Sequence, residues 1–396
     1  MKKILSFQEF ASELRGFIQQ SAAGQFNDLA LTLFALQFSA VESYRKFCEA
    51  RTVSPQTVKH WSEIPPLPTN AFKEFEISSL PPAERTHVFH SSGTTEQIPS
   101  RHFHNADSLV IYEASLLPWF RQNFLGDWDE LQEIEIVGPI DQPGLIFLTP
   151  PPALASNSSL VHMFETVRRE LGSRDSLFTG KLDDQKSWTL DTDQTLFALR
   201  KSMCANRPVA ILGTAFSFVH LLDHFAANNI RYRLAEGSRV LETGGYKNRS
   251  RTLPKTELHQ LITKHLGIPA SHIVCEYGMS ELSSQAYDHA IQFAATNKHG
   301  FNTDSPTQNL KLKIKNFAFP PWARVQIISP ETGKEVAEGE TGLVRIFDLA
   351  NVYSALAIQT EDLGIRRGDG FELIGRAPET EPRGCSLRTN PDERHG

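Results

Sequence analysis

The pattern of apolar positions changes character along the chain. Between residues 5 and 50 apolar side chains are dense and helically spaced. Leu29, Leu31, Leu33, Phe34, Leu36, Phe38 and Val41 mark a buried helix there. Pro65-Pro66-Leu67-Pro68 then forces extended chain, and residues 70–75 read as a short helix capped by Asn70. Val88-Phe89 reads as the end of a buried strand, 107–122 as a helix, and 133–140 and 144–148 as strands. From residue 188 to 275 the two periods alternate. A helix within 188–205 precedes a strand at 208–212, a helix at 216–228 and a strand at 238–241. A helix at 254–266 with proline near its start then leads into a strand at 272–275. This alternation predicts an α/β fold with a parallel sheet flanked by helices. Short glycine-punctuated strands at 310–315, 324–329, 342–347 and 371–374 predict a smaller β-rich lobe. Residues 377–396, rich in Pro, Arg and Glu, predict a mobile tail.

Bulk properties narrow the classes. The 396 residues carry 40 basic and 46 acidic side chains, a net charge of −6, which argues against nucleic-acid binding. The start Met1-Lys2-Lys3-Ile4-Leu5 resembles a signal peptide, but Gln8, Glu9, Glu13 and Arg15 break any apolar core. No apolar segment reaches membrane length. Four cysteines at 48, 204, 275 and 385 form no CxxC pair, so neither a disulfide framework nor a zinc cluster is expected, and a reduced cytoplasmic compartment is the simplest expectation. Cys48, Cys204 and Cys275 read as packing residues. His220, His224, His259, His265 and His272 share no metal-ligand spacing and read as helix-surface or strand-end residues.

Four stretches carry candidate chemistry. The first is His90-Ser91-Ser92-Gly93-Thr94-Thr95, followed by Glu96 and, further on, Arg101. Hydroxyls and a glycine at a strand end suit phosphate oxygens, because the main chain can approach closely and donate N–H groups. A solvated surface turn fits the string equally well. The second is Glu242-Thr243-Gly244-Gly245-Tyr246-Lys247, at the carboxyl end of a parallel strand, where α/β folds bind nucleotides. Lys247 suits a phosphate or a substrate carboxylate, or stands as a solvated surface lysine. The third is Glu276-Tyr277-Gly278-Met279-Ser280-Glu281. It reads as well as a helix start capped by Ser280. The fourth is Thr360-Glu361-Asp362-Leu363-Gly364, followed by Gly375-Arg376; alone, Asp362 would be an exposed turn aspartate.

In that order these four stretches resemble the motifs of acyl-adenylate-forming enzymes. The resemblance implies that Ser91, Ser92, Gly93, Thr94 and Thr95 cradle the phosphates of ATP, with Arg101 the nearest base where lysine is usual and Glu96 where glycine is usual. It implies that the backbone at Gly244, Gly245 and Tyr246 packs against adenine. Tyr277 would lie against the adenine ring within the segment formed by Glu276, Gly278 and Met279. Ser280 would contact phosphate, Glu281 would hold Mg²⁺, Asp362 would accept from both ribose hydroxyls, and Arg376 would approach ribose or phosphate. A carboxylate suits a hard cation.

Only 20 residues follow Arg376, too few for the C-terminal lysine-bearing domain usual in these enzymes. That shape, Ile64-Pro65-Pro66-Leu67-Pro68 with Phe72-Lys73, Gly213-Thr214-Ala215-Phe216 and Arg383-Gly384-Cys385-Ser386 are similar to the LuxE-like acyl-protein synthetases of bacterial luminescence. This resemblance implies an adenylate-forming domain over 1–376 and a tail, 377–396, carrying Cys385 as the acyl acceptor. It implies a long-chain fatty acid substrate, with reductase and thioesterase partner proteins. Cys385 lies between Arg383 and Arg388, and cations lower a thiol pKa. Phe216, Phe218, Val219, Leu221 and Leu222 line an acyl pocket or, at helical spacing, form core. Two rival readings are a ligase using coenzyme A or a carrier thiol, and a non-catalytic nucleotide- or acyl-binding protein.

Overall fold

Along the strand Val209–Thr214 alternate side chains enter two different cores, and the whole central sheet follows that rule. The computed structural model describes residues 6–20, 24–91, 98–128, 142–185, 187–245, 250–289, 291 and 316–377. The expected strands at 133–140 and 310–315 lie outside them, as do Ser92, Gly93, Thr94, Thr95, Tyr246, Lys247 and Cys385. The chain forms two compact units. One joins the residues up to Thr86 to those from Pro321 onward, and the other spans His87–Pro320.

The second unit is built on a six-stranded sheet. Its order is Ala286–Tyr287, Ile273–Tyr277, Arg239–Thr243, Val209–Thr214, Gly144–Phe147 and Leu177–Phe178. The last five are mutually parallel, and Ala286–Tyr287 is an antiparallel edge. Helices Thr192–Cys204, Ala215–Ala227 and Lys255–Leu266 make the crossovers that parallel pairing requires. Thr214 caps Ala215–Ala227 by accepting from the Ser217 N–H, which ends the strand and starts the helix within one residue. One core holds Leu145, Phe147, Ala210, Leu212, Leu241 and Val274. The other holds Ile146, Val209, Ile211, Val240 and Ile273, with the helix residues Phe218, Val219, Leu221 and Leu222. Those four residues are core, the plainer of the two expectations.

The first unit packs helices Phe7–Gln20, Phe26–Ala40 and Glu42–Glu49 with a five-stranded sheet. Leu67–Pro68 pairs in parallel with Ala357–Arg367, and Thr341–Asp348 and Ala323–Ile328 continue antiparallel. Gly370–Arg376 also pairs with Ala357–Arg367. The buried Gln37 amide stitches helix to sheet. It donates to the Asn351 carbonyl at 2.7 Å and accepts from the Leu356 N–H at 3.0 Å. The expected β-rich lobe therefore includes the N-terminal helices. The strand Ala357–Arg367 is additional to the expected ones, and it places Asp362 in a strand rather than a turn.

Other local readings change too. Asn70 makes no side-chain cap to helix Ala71–Glu74 because it is itself in helical conformation. Residues 280 and 281 form a turn and start no helix. His259 and His265 are buried rather than on a helix surface, and Cys204 is exposed. Among the described residues no helix is long and apolar enough to cross a membrane.

Candidate functional site

Three of the four candidate stretches lie in the second unit, and short polar contacts join them. The strands His87–His90 and Arg101–His104 form an antiparallel ribbon with His90 opposite Arg101. Next to that pair the Ser91 hydroxyl accepts from the Ser100 N–H at 2.9 Å. The Ser100 hydroxyl in turn lies 3.3 Å from that of Ser280, and both side chains are buried. Ser280 donates to the Glu281 carboxylate at 3.0 Å. His102, fully buried in the same ribbon, holds the turn from below. Its Nδ1 lies 2.9 Å from the Ser280 carbonyl, which can only accept, so Nδ1 carries the proton. Burial lowers this imidazole to about 4, against the opposing effect of that hydrogen bond.

The second and third stretches meet at the carboxyl ends of neighbouring parallel strands, where Glu276 stands opposite Thr243. The Thr243 hydroxyl donates to the Glu276 carboxylate. Burial pushes Glu276 up to about 7, partly offset by that hydrogen bond and reinforced by Glu242. Beyond Thr243 the chain leaves the sheet through Gly244 at φ +68°, a left-handed conformation that favours glycine. Both Gly244 and Gly245 are exposed, and a Cβ at either would meet open space. Across from them, the chain turns at exposed Gly278, where a Cβ would strike the Glu276 carboxylate. Tyr277 is buried, with Phe317 and Phe319 rings at 6.0 and 6.2 Å. Met279 is half-buried beside it.

The fourth stretch belongs to the first unit. Asp362 and Arg376 pair across adjacent strands, with Arg376 Nε 3.7 Å from Asp362 Oδ1. The aspartate is largely covered while the arginine side chain is 81% exposed.

The donor set fits a hard cation at Glu281. A buried carboxylate with a hydroxyl beside it offers oxygen only, and Mg²⁺ is commonly held by one or two carboxylates with phosphate and water completing its shell. Sequence reasoning missed Ser100 and His102. No local spacing marks them, because each reaches the Ser280 turn from a distant ribbon.

A family model described as "Acyl-protein synthetase, LuxE" matches residues 135–392, well over half of the chain. A long-chain-fatty-acid–luciferin-component ligase of Aliivibrio fischeri is 24% identical over 367 residues, covering 89% of this chain and 85% of its own. A ligase of the same description from Vibrio harveyi is 24% identical, covering 87% and 82%. Among solved structures, 2-hydroxyisobutyryl-CoA ligase in complex with 2-HIB-AMP superposes with a TM-score of 0.61 at 12% identity. It covers 89% of this chain and 68% of its own. The same ligase in an open conformation gives 0.57, covering 93% and 69%. The sheet and its crossovers therefore share the fold of that ligase, and the chain belongs to the LuxE acyl-protein synthetase family.

Proposed function

We propose that this protein is an ATP-dependent acyl-protein synthetase. It activates a carboxylic acid, a long-chain fatty acid by analogy with its relatives, as acyl-AMP, and transfers the acyl group to Cys385. The observation that carries this reading is the polar chain Ser91–Ser100–Ser280–Glu281, which links Ser91, the first serine of the hydroxyl-rich sequence, to a buried carboxylate in a member of this family.

A carboxylate is a poor electrophile. Its oxygen attacks the α-phosphorus of ATP, the bond to the β-phosphate bridge breaks, and pyrophosphate leaves. Ser91, Ser92, Gly93, Thr94 and Thr95 donate to the phosphate oxygens on which charge develops, with Arg101 adding a cation. Lys247 supplies a positive charge for the substrate carboxylate or a phosphate. Gly244, Gly245 and Tyr246 offer backbone to the adenine, and Tyr277 offers an aromatic face. Glu281 would hold Mg²⁺, which when bound neutralises phosphate charge. Asp362 accepts from the ribose hydroxyls, with Arg376 beside it. The Cys385 thiolate then attacks the acyl carbonyl, a thioester forms, and AMP departs. Adenylation belongs to residues 1–376 and acyl transfer to 377–396, from which a reductase partner takes the acyl group.

The test is intact-protein mass after incubation with ATP, Mg²⁺ and a series of fatty acids, followed by peptide mapping. An ATP-dependent, hydroxylamine-labile adduct on Cys385 is expected, and Cys385→Ser should lose it while still releasing pyrophosphate. Pyrophosphate release with no adduct would move the acceptor to an external thiol. Absence of both the adduct and pyrophosphate release would overturn the enzymatic reading.

A further inference from the structure

Glu242, His259 and Cys275 bring a carboxylate, an imidazole and a thiol together inside the second unit, and all three are buried. Three different elements supply them. Glu242 and Cys275 are register partners on the parallel strands Arg239–Thr243 and Ile273–Tyr277, so their side chains project to the same face of the sheet. His259 comes from helix Lys255–Leu266, which packs on that face with Leu258 and Ile262 in the core. The helix is the crossover between the two strands, which is why residues far apart in sequence converge without a recognisable spacing.

The donors point at one another rather than along a relay. Cys275 Sγ donates to Glu242 Oε2 at 3.0 Å and lies 3.6 Å from His259 Nε2. The same Nε2 lies 3.6 Å from the same Oε2. In a thiol–imidazole–carboxylate relay, thiol and carboxylate would occupy opposite nitrogens of the ring. Here both face one nitrogen. A tetrahedral Zn²⁺ with sulfur at about 2.3 Å and nitrogen or oxygen at about 2.0–2.2 Å separates its ligand atoms by about 3.3–3.7 Å. Two of the three edges have that length, and the third is shorter, as a thiol–carboxylate hydrogen bond requires.

We propose that Glu242, His259 and Cys275 bind a Zn²⁺ ion that clamps helix Lys255–Leu266 to the ends of the two strands. Coordination replaces the S–H bond with an S–Zn bond, and the proton leaves to solvent. A thiolate, a carboxylate and a neutral imidazole around a divalent cation sum to zero charge, which is what a buried site tolerates. Mixed S, N and O donors suit borderline Zn²⁺ rather than Mg²⁺. Water completes the fourth position. Lys255 is a nearby cation that interacts with the Cys275 sulfur as well as with Asp288, which lies 3.0 Å away. The site lies directly before Thr243-Gly244-Gly245 on one strand and Glu276-Tyr277 on the other. It stands independently of the nucleotide assignment.

The test uses the full chain, reduced and freed of metal by chelator, titrated with Co²⁺ alone. One equivalent should produce the thiolate-to-cobalt charge-transfer band and the strong visible bands of four-coordinate Co²⁺, and Zn²⁺ should bleach both. Cys275→Ser should remove the charge-transfer band, and His259→Asn should weaken it together with the visible bands. Cys204→Ser and Cys385→Ser, which keep all three ligands, should leave the spectrum intact. A wild-type chain with no thiolate band overturns the proposal whether or not the variants fold. So does a band that survives Cys275→Ser or vanishes in Cys385→Ser. None of these readouts requires ATP, so failure here leaves the adenylation reading untouched.

Discussion

Thr243 and Glu276 face each other where two parallel strands end, and the threonine hydroxyl donates to the glutamate carboxylate. The contact fixes the spacing between the Gly244 turn and Tyr277. Burial already pushes this carboxyl up to about 7, so a neutral isostere costs little. Glu276→Gln should keep wild-type stability to within about 1 kcal/mol, whereas Glu276→Ala, which strands the Thr243 hydroxyl, should lose about 1–3 kcal/mol. Urea unfolding of both variants checks this, and equal losses would mean that the contact does not matter.

Acid should loosen the protein through His102. An unfolded imidazole titrates near 6.5, while burial holds His102 at about 4 in the fold. Above pH 6.5 both states are neutral and the contribution is fully present. As pH falls from 6.5 towards 4, the unfolded chain takes up a proton that the native state refuses, and stability is lost. The loss should reach about 2 kcal/mol at pH 5 and about 3 kcal/mol at pH 4. His104, also pushed down by burial and by the neighbouring His102 and His162, adds in the same direction. Urea midpoints at pH 7 and pH 5 measure the slope. His102→Asn, which keeps a donor for the Ser280 carbonyl, should flatten it; an unaltered slope would remove His102 as its source.

The strand that ends at Thr243 begins at a fully buried ion pair. Arg239 donates to Asp127 at 2.6 Å and to the Phe124 carbonyl at 2.8 Å, with the Trp128 ring 4.8 Å from its guanidinium. Arg239→Met should cost about 3–5 kcal/mol, because it leaves a buried carboxylate without its partner. Arg239→Met combined with Asp127→Leu should recover part of that loss. A double variant as unstable as the single one would show that shape, not charge, dominates there.

Glu281→Gln preserves shape and removes the charge proposed for Mg²⁺. Pyrophosphate release should fall by about 10²-fold or more, and raised Mg²⁺ should recover part of it. A normal rate at ordinary Mg²⁺ would take Glu281 out of the site.

Asp362→Ala should weaken ATP binding by at least about tenfold, since it removes the two charge-assisted hydrogen bonds proposed to ribose. Calorimetric titration with ATP gives the answer, and unchanged affinity would return Asp362 to a purely structural pair with Arg376.

The sequence was most legible where hydrophobic period and punctuation agree. The strands at 209–214, 239–243 and 273–277 and the helices between them follow directly from the βα alternation. The motif ends at Gly244 and Tyr277 fall where those strands stop, for the same reason. Less visible were features set by distant pairing. Asp362 sits in the strand Ala357–Arg367, whose polar and glycine content masks its alternation, and its partners come from opposite ends of the chain. His102 and Ser100 act through a ribbon that touches Ser280 from far away in sequence. His259 looked like a surface residue because helical spacing cannot say that the facing strands carry a carboxylate and a thiol.

The pairing of Leu67 with Ile358 carries a consequence for synthesis. The ribosome delivers all six strands of the sheet that ends in Gly244 and Tyr277 before any strand that can pair with Leu67–Pro68 has emerged. The N-terminal helices must wait, with their apolar faces uncovered, while nearly three hundred residues are made. Chaperone dependence during translation should therefore concentrate on the first segment of the chain rather than on the parallel sheet.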